Sequence, residues 1–229
     1  KEKAQACIVS RGSKMLYKNE NELQNKYSAD NIFALKCDCT KSEDLNFLKK
    51  KLEVKWGKLD ILVVNVGDGR GVSKPLPDQE GWQRVWTTNF ESALNTSRIF
   101  LPMLEKSNGV LLFISSIAGI EAIGAPTDYS TAKSAVIALS KNLAKKLAPA
   151  VRVNVLAPGN VYFKGGSWDK KIKQDKKNVD QIISSTVPMK RFASPEEIAD
   201  AAIFICSNRA KFITGSKLVI DGGQTIGLI

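Results

Sequence analysis

Histidine is absent from the 229 residues. That excludes Ser-His-Asp and Cys-His nucleophile chemistry and every His-ligated metal site, so acid–base work must fall to other side chains. Long apolar runs are missing too. None approaches the roughly 18 residues that a membrane-spanning helix needs, and Lys1-Glu2-Lys3 with the short apolar stretch after it does not make a signal peptide. Cysteine is scarce: Cys7, Cys37, Cys39 and Cys206 include no CxxC pair and read as buried structural thiols. These absences predict a soluble, cytoplasmic protein with no membrane partner and no metal.

What is present is basic. There are 34 Lys and Arg against 23 Asp and Glu, a net charge of +11, yet 43% of the residues are hydrophobic, which is too apolar for a disordered chain. Six lysines fall between Lys164 and Lys177, but Asp169 and Asp175 interrupt them and no aromatic ladder accompanies them. A solvated helix face or loop is the expectation there, not a nucleic-acid site. The overall charge suits attraction of an anionic substrate or cofactor.

Short β-branched runs alternate with longer helical patterns, the signature of an α/β protein with a parallel sheet and helices on both faces. Strands are predicted at Ala6–Ser10, Ile32–Cys37, Leu59–Asn65, Val110–Ser115, Val151–Ala157 and Lys217–Asp221. Thr40-Lys41-Ser42-Glu43 and Ser194-Pro195-Glu196-Glu197 have the capping-box pattern of helix starts, the first ahead of Leu45, Leu48 and Leu52. Gln83–Leu104 and Tyr129–Leu147 carry long helical patterns. With no linker, repeat or low-complexity block, residues 1–229 read as a single domain.

The chemistry is concentrated in the Tyr129–Leu147 pattern. Tyr129 and Lys133, four apart, share one helix face about a turn from each other. Ser116 ends a predicted strand, where an open α/β sheet places its ligand crevice. An ammonium beside a phenol lowers the phenol's pKa, so Lys133 is expected to activate Tyr129 as a proton donor while Ser116 holds a carbonyl oxygen. The hydride for such a reduction must come from a cofactor.

This constellation resembles that of the classical short-chain dehydrogenase/reductases, and the match covers nearly the whole chain. Val64-Asn65-Val66-Gly67 is similar to the family's Asn-Asn-Ala-Gly element, with Val in place of its first Asn and of its Ala. Asn89 falls where the family carries a fourth catalytic residue, which holds a water behind the lysine. Pro158-Gly159 matches the turn over the nicotinamide, Asp221-Gly222-Gly223 the closing signature, and Asp38 the aspartate that addresses the adenine.

The resemblance implies a Rossmann-type, doubly wound fold. It assigns catalysis to Asn89, Ser116, Tyr129 and Lys133, and cofactor binding to Arg11, Asp38, Asn65, Gly67, Tyr129, Lys133, Pro158 and Gly159. Arg11 stands at the end of the strand that meets the adenosine ribose, where a guanidinium pairs with a 2′-phosphate; NADP(H) is expected over NAD(H).

Two departures stand out. The family's glycine-rich turn after its first strand is not in the sequence, and the first apolar strand, Ala6–Ser10, matches the family's second. A first strand, glycine turn and first helix are therefore expected before Lys1. Phe163 also stands where a Thr is usual, ahead of a substrate lid over residues 160–190 that contains Trp168. The implied activity is carbonyl reduction with NAD(P)H, a 3-oxoacyl thioester being the first candidate substrate. A sugar or polyol dehydrogenase is the second reading, and a cofactor-binding or interaction protein without turnover the third. Pairing of the Gln83–Leu104 and Tyr129–Leu147 helices across a two-fold axis, with Lys217–Asp221 and Ile226–Ile229 in a second contact, implies a homotetramer, or failing that a dimer.

Overall fold

The computed structural model describes residues 4–70 and 74–227. The chain packs as two compact units, Lys1–Lys58 and Leu59–Ile229. Within the first lie β1 (Ala6–Ser10), α1 (Ser13–Tyr27), β2 (Ile32–Lys36) and α2 (Ser42–Trp56). The two strands run parallel, from Ala6 opposite Ile32 to Ser10 opposite Lys36. Leu45, Leu48 and Leu52 form the buried stripe of α2, as their spacing predicts.

The start of α2 differs from expectation. Thr40 does not cap it: its hydroxyl donates to Asp38 Oδ1 at 2.7 Å, and its amide donates to the same oxygen at 3.0 Å. This turn takes the hydroxyl that a capping box needs, so the helix begins one residue later, with Lys41 at the N-cap and no side-chain cap.

The second unit contains β3 (Ile61–Val64), α3 (Gln79–Trp86), α4 (Ser92–Ser107), β4 (Val110–Ile114), α5 (Thr127–Leu147), β5 (Arg152–Pro158), α6 (Ser167–Gln174), α7 (Lys176–Thr186), α8 (Pro195–Cys206) and β6 (Lys217–Ile220). Its four strands are all parallel, in the order β3-β4-β5-β6. The continuous apolar run of β4 is explained by burial on both faces. Leu111 and Phe113 join Ala93, Leu104, Val136 and Ala144 of α4 and α5 in one core. Leu112 joins Leu156 and Ile205 in a second, beneath α8. Ser194 and Glu197 form the predicted capping box at the start of α8.

The Gln83–Leu104 pattern is broken in two. A π-helical turn, Thr87–Glu91, separates α3 from α4, and Asn89 lies inside it with its side chain turned to main-chain groups. Nor are the apolar residues of this stretch an open second face. Val85, Phe100 and Leu104 are fully buried, Phe90 and Leu101 pack on the core, and Leu94 is half-buried. Among the described residues no strand pairs with the second edge of β3, where Ile61 and Val63 are 43% and 46% exposed. No helix of the described residues is long and apolar enough to cross a membrane.

Candidate active site

The loop after β4 is fixed against α5 by short backbone contacts. Ser115 Oγ donates to the Lys133 carbonyl at 2.8 Å, and Ser134 Oγ donates to the Gly119 carbonyl at 2.7 Å. Gly119 is required here, since a Cβ on it would meet the Lys133 and Ser134 main chain at under 3 Å. Ser116 caps the short turn Ile117–Gly119, accepting the Ala118 N–H at 3.2 Å, and lies near enough to Tyr129, in the first turn of α5, for its hydroxyl to favour the phenolate. The serine and tyrosine hydroxyls therefore converge, as the sequence predicted.

Lys133 is brought to the same place but acts differently from the expectation. Its side chain is buried, 5.7 Å from the centroid of the Tyr129 ring, and Nζ donates to the Ile114 carbonyl at 3.2 Å. Burial pushes its pKa down to about 8. The Tyr129 phenol is not lowered. Burial raises its pKa, the Asp68 carboxylate adds to the rise, and the Ser116 hydroxyl offsets only part of it. At neutral pH the phenol is therefore protonated and able to donate.

Gly67 and Asn89 complete the floor. A Cβ on Gly67 would lie 2.9 Å from both Asn89 Oδ1 and Lys133 Nζ, so a side chain there would displace one of these two groups. Asn89 Oδ1 accepts the Asp68 amide at 3.1 Å, while Nδ2 donates to the carbonyls of Asp68 and Val85 at 3.0 and 2.9 Å. Its side chain thus clamps the loop after β3. At the end of β5, Gly159 donates its N–H to Ile220, and Asp221 leaves no room for a side chain there.

Comparison with known proteins decides the family. Residues 1–225 match the family model described as enoyl-(acyl carrier protein) reductase. The chain is 34% identical, over 89% of its length and 80% of the relative's, to the 3-oxoacyl-[acyl-carrier-protein] reductase FabG of Chlamydia muridarum. It belongs to the classical short-chain dehydrogenase/reductases. It shares 27% identity with L-sorbose reductase of Gluconobacter frateurii, solved with NADPH and L-sorbose, at a TM-score of 0.90 over 97% of this chain and 87% of the other. A 7α-hydroxysteroid dehydrogenase solved with NADH and 7-oxo glycochenodeoxycholic acid gives 29% identity and a TM-score of 0.85 over 97% and 85%. The protein is an oxidoreductase with the Rossmann-type fold of this family.

The residues of this short-chain dehydrogenase/reductase fit a nicotinamide cofactor where they are described. The buried Lys133 ammonium donates one hydrogen bond to Ile114, leaving two N–H groups for a ribose hydroxyl. Gly67 and Gly159 keep side chains out of the floor and of the turn after β5. Asn65, exposed just past β3, is placed at the same strand end as Gly67. In the unit Lys1–Lys58, exposed Arg11 follows β1 and Asp38 follows β2. The Asp38 carboxyl lies below its ordinary pKa: burial opposes this, but hydrogen bonds from Thr40 and the nearby Arg11 cation outweigh it.

The segment expected to be the lid, residues 160–190, is a packed substructure. The Trp168 and Phe192 rings meet at 5.2 Å with a 59° tilt, and Val179, Ile183 and Val187 form a small core with them. Asp169 accepts from the Tyr162 hydroxyl, the Gly165 amide and Lys173 Nζ, tying α6 to the chain after Pro158-Gly159. Phe163, 54% exposed, lies against Gly166. Of the expected second contact, Leu228 and Ile229 lie outside the described residues; the amides of Ile226 and Gly227 donate to Glu121.

Asp68, Gly69 and Arg84 are residues the sequence did not single out. A Cβ on Gly69 would touch the Tyr129 ring at 3.8 Å, so this loop borders the reacting hydroxyl. The run Asp68-Gly69-Arg70 directly after the Asn65-Val66-Gly67 match was the available signal.

Proposed function

We propose that this enzyme reduces a carbonyl group with NADPH, Tyr129 donating the proton to the carbonyl oxygen. The observation that carries the reading is the placement of the Ser116 hydroxyl near enough to the Tyr129 phenol to lower its pKa, with Lys133 Nζ 5.7 Å from the same ring. Two hydroxyls meeting at a strand's carboxyl end bind one oxygen, and the protonated phenol is the stronger acid of the two. Lys133 keeps a proton close to the phenol, and Asn89 holds the loop that borders it. The cofactor, when bound, supplies the hydride. Asn65, Gly67, Lys133, Pro158 and Gly159 are read as its nicotinamide-side contacts, with Arg11 meeting the 2′-phosphate and Asp38 the adenine. Likeness to a structure solved with NADPH supports NADP(H).

Similarity to FabG supports a 3-oxoacyl thioester as substrate, and similarity to L-sorbose reductase supports a sugar. The enzyme is read as cytoplasmic and homotetrameric, with a dimer as the alternative, on its resemblance to the family alone, since the apolar residues of α4 are largely covered within the chain.

NADPH oxidation against a panel of acyl thioesters and keto sugars tests the reading, with Tyr129→Phe as the control. Loss of the phenol is expected to lower turnover by at least about 10²-fold with cofactor binding retained. NADPH binding without turnover of any carbonyl would favour a binding protein, and near-native activity in Tyr129→Phe would remove the mechanism. Light scattering of the purified protein reports the assembly.

A further inference from the structure

The proposed mechanism leaves one charged cluster unused. Asp68, Arg70 and Arg84 lie on the loop after β3 and on α3. Arg70 forks the Asp68 carboxylate, with Nε to Oδ1 and Nη2 to Oδ2 both at 2.8 Å. Arg84 approaches from the helix: its Nη2 donates to the Arg70 carbonyl at 2.8 Å, and its Nη1 lies 3.7 Å from Asp68 Oδ2. The carboxylate is 13% exposed, whereas the two guanidiniums are 75% and 49% exposed. Burial opposes ionisation of Asp68, yet the Arg70 hydrogen bonds and the Arg84 charge hold its pKa below the usual carboxylate range.

Two features give the cluster a function. It borders the reacting atoms, because a Cβ built on Gly69, between Asp68 and Arg70, would sit 3.8 Å from the hydroxyl-bearing carbon of the Tyr129 ring. It is also rigid, since Asn89 holds Asp68 through both of its main-chain polar groups and Arg84 holds the Arg70 carbonyl. Two guanidiniums around one carboxylate leave one uncompensated positive charge, with N–H donors still free to point outward. A guanidinium pre-set in this way loses little side-chain entropy on meeting an anion. One residual charge matches a carboxylate, which carries one negative charge, better than a phosphate dianion.

We propose that Arg70 and Arg84 recognise a carboxylate on the substrate, so that this site selects carbonyl compounds bearing an acid group within reach of Tyr129. The proposal rests on the reading of Tyr129 as proton donor to a carbonyl. It makes the charged cluster a specificity device: Asp68 acts as the internal counter-ion that presets the forks, and the substrate acid takes the outward donors.

A series of methyl ketones with one to six methylenes between carbonyl and carboxylate, each paired with its primary amide, tests it in the NADPH-loaded enzyme. At the fitting length the acid is expected to exceed its amide about 10- to 100-fold in kcat/KM, mainly through KM, as one charge-assisted pair gives. Arg70→Gln should abolish that ratio and leave the KM for NADPH within about 2-fold, and Arg70→Lys should restore part of the ratio.

Acid and amide reduced equally by the wild type would overturn the proposal, as would a ratio that survives in Arg70→Gln or a variant whose main change is in the KM for NADPH. Reduction of neither acids nor amides counts against carbonyl reduction itself. Thermal unfolding of the NADPH complex then reads the site alone. Stabilisation by the keto acid but not the amide, lost in Arg70→Gln, supports the carboxylate site, and equal shifts in both proteins refute it.

Discussion

Gly119 packs so closely on the main chain of Lys133 that a Cβ built on it would lie 2.7 Å from the Lys133 carbonyl carbon and 2.8 Å from the Ser134 nitrogen. The loop that carries Ser116 and the helix that carries Tyr129 are thereby locked together, since the opposing atoms are backbone and cannot rotate away. Gly119→Ala must push the two apart. Overpacking of this kind costs about 1–3 kcal/mol, which lowers the Tm by several degrees. Turnover should fall with it, because the Ser116 and Tyr129 hydroxyls separate. Calorimetry and steady-state kinetics on the one variant check both, and an unchanged Tm would show that the loop yields freely.

How far the sequence carried depends on the range of the interaction. The six strands were legible to within one or two residues because each is a short β-branched or apolar run bounded by turn residues, the central ones, such as Val110–Ile114, being buried on both faces. Ser116, Tyr129 and Lys133 were legible because a helix turn and a strand end are local. The clamp of Asn89 on Asp68, 21 residues away, has no local signature, and neither has the π-helical turn that accommodates it. Thr40 misled for a related reason: Asp38 competed for the same hydroxyl. The pKa of Tyr129 was misjudged because burial, a property of the whole fold, raises it by more than the Ser116 hydroxyl lowers it.

Arg11 follows β1 and contributes to holding the Asp38 carboxyl ionised, so its guanidinium stands at a strand end beside a negative group. If it also meets the cofactor 2′-phosphate, Arg11→Asp replaces an attraction by a repulsion. The ratio of kcat/KM with NADPH to that with NADH should then reverse, by at least about 10-fold, given the worth of one charge-assisted pair. Measuring the ratio for both proteins is sufficient; an unaltered value removes Arg11 from cofactor selection.

Lys133 gives the fold a pH dependence whose sign is fixed by burial. Its pKa falls from the ordinary 10.5 to about 8 in the folded chain. Between those values the unfolded chain holds a proton on this side chain that the folded chain has released, so the free energy of unfolding rises with pH there. Below pH 8 both states are protonated, and the cost of burying the charge is constant. The slope contributed is at most about 1.4 kcal/mol per pH unit. Lys133→Met keeps the apolar stem and removes the titration. The wild-type value minus the variant value, from urea unfolding of the cofactor-free proteins, should be flat below pH 8 and climb between 8 and 10.5. Titration of Tyr129 above pH 10 is present in both proteins and largely cancels in the difference. A difference that stays flat across that window would mean that the ammonium is solvated in the folded enzyme, and with it would go the description of Lys133 as a buried proton reservoir beside the phenol.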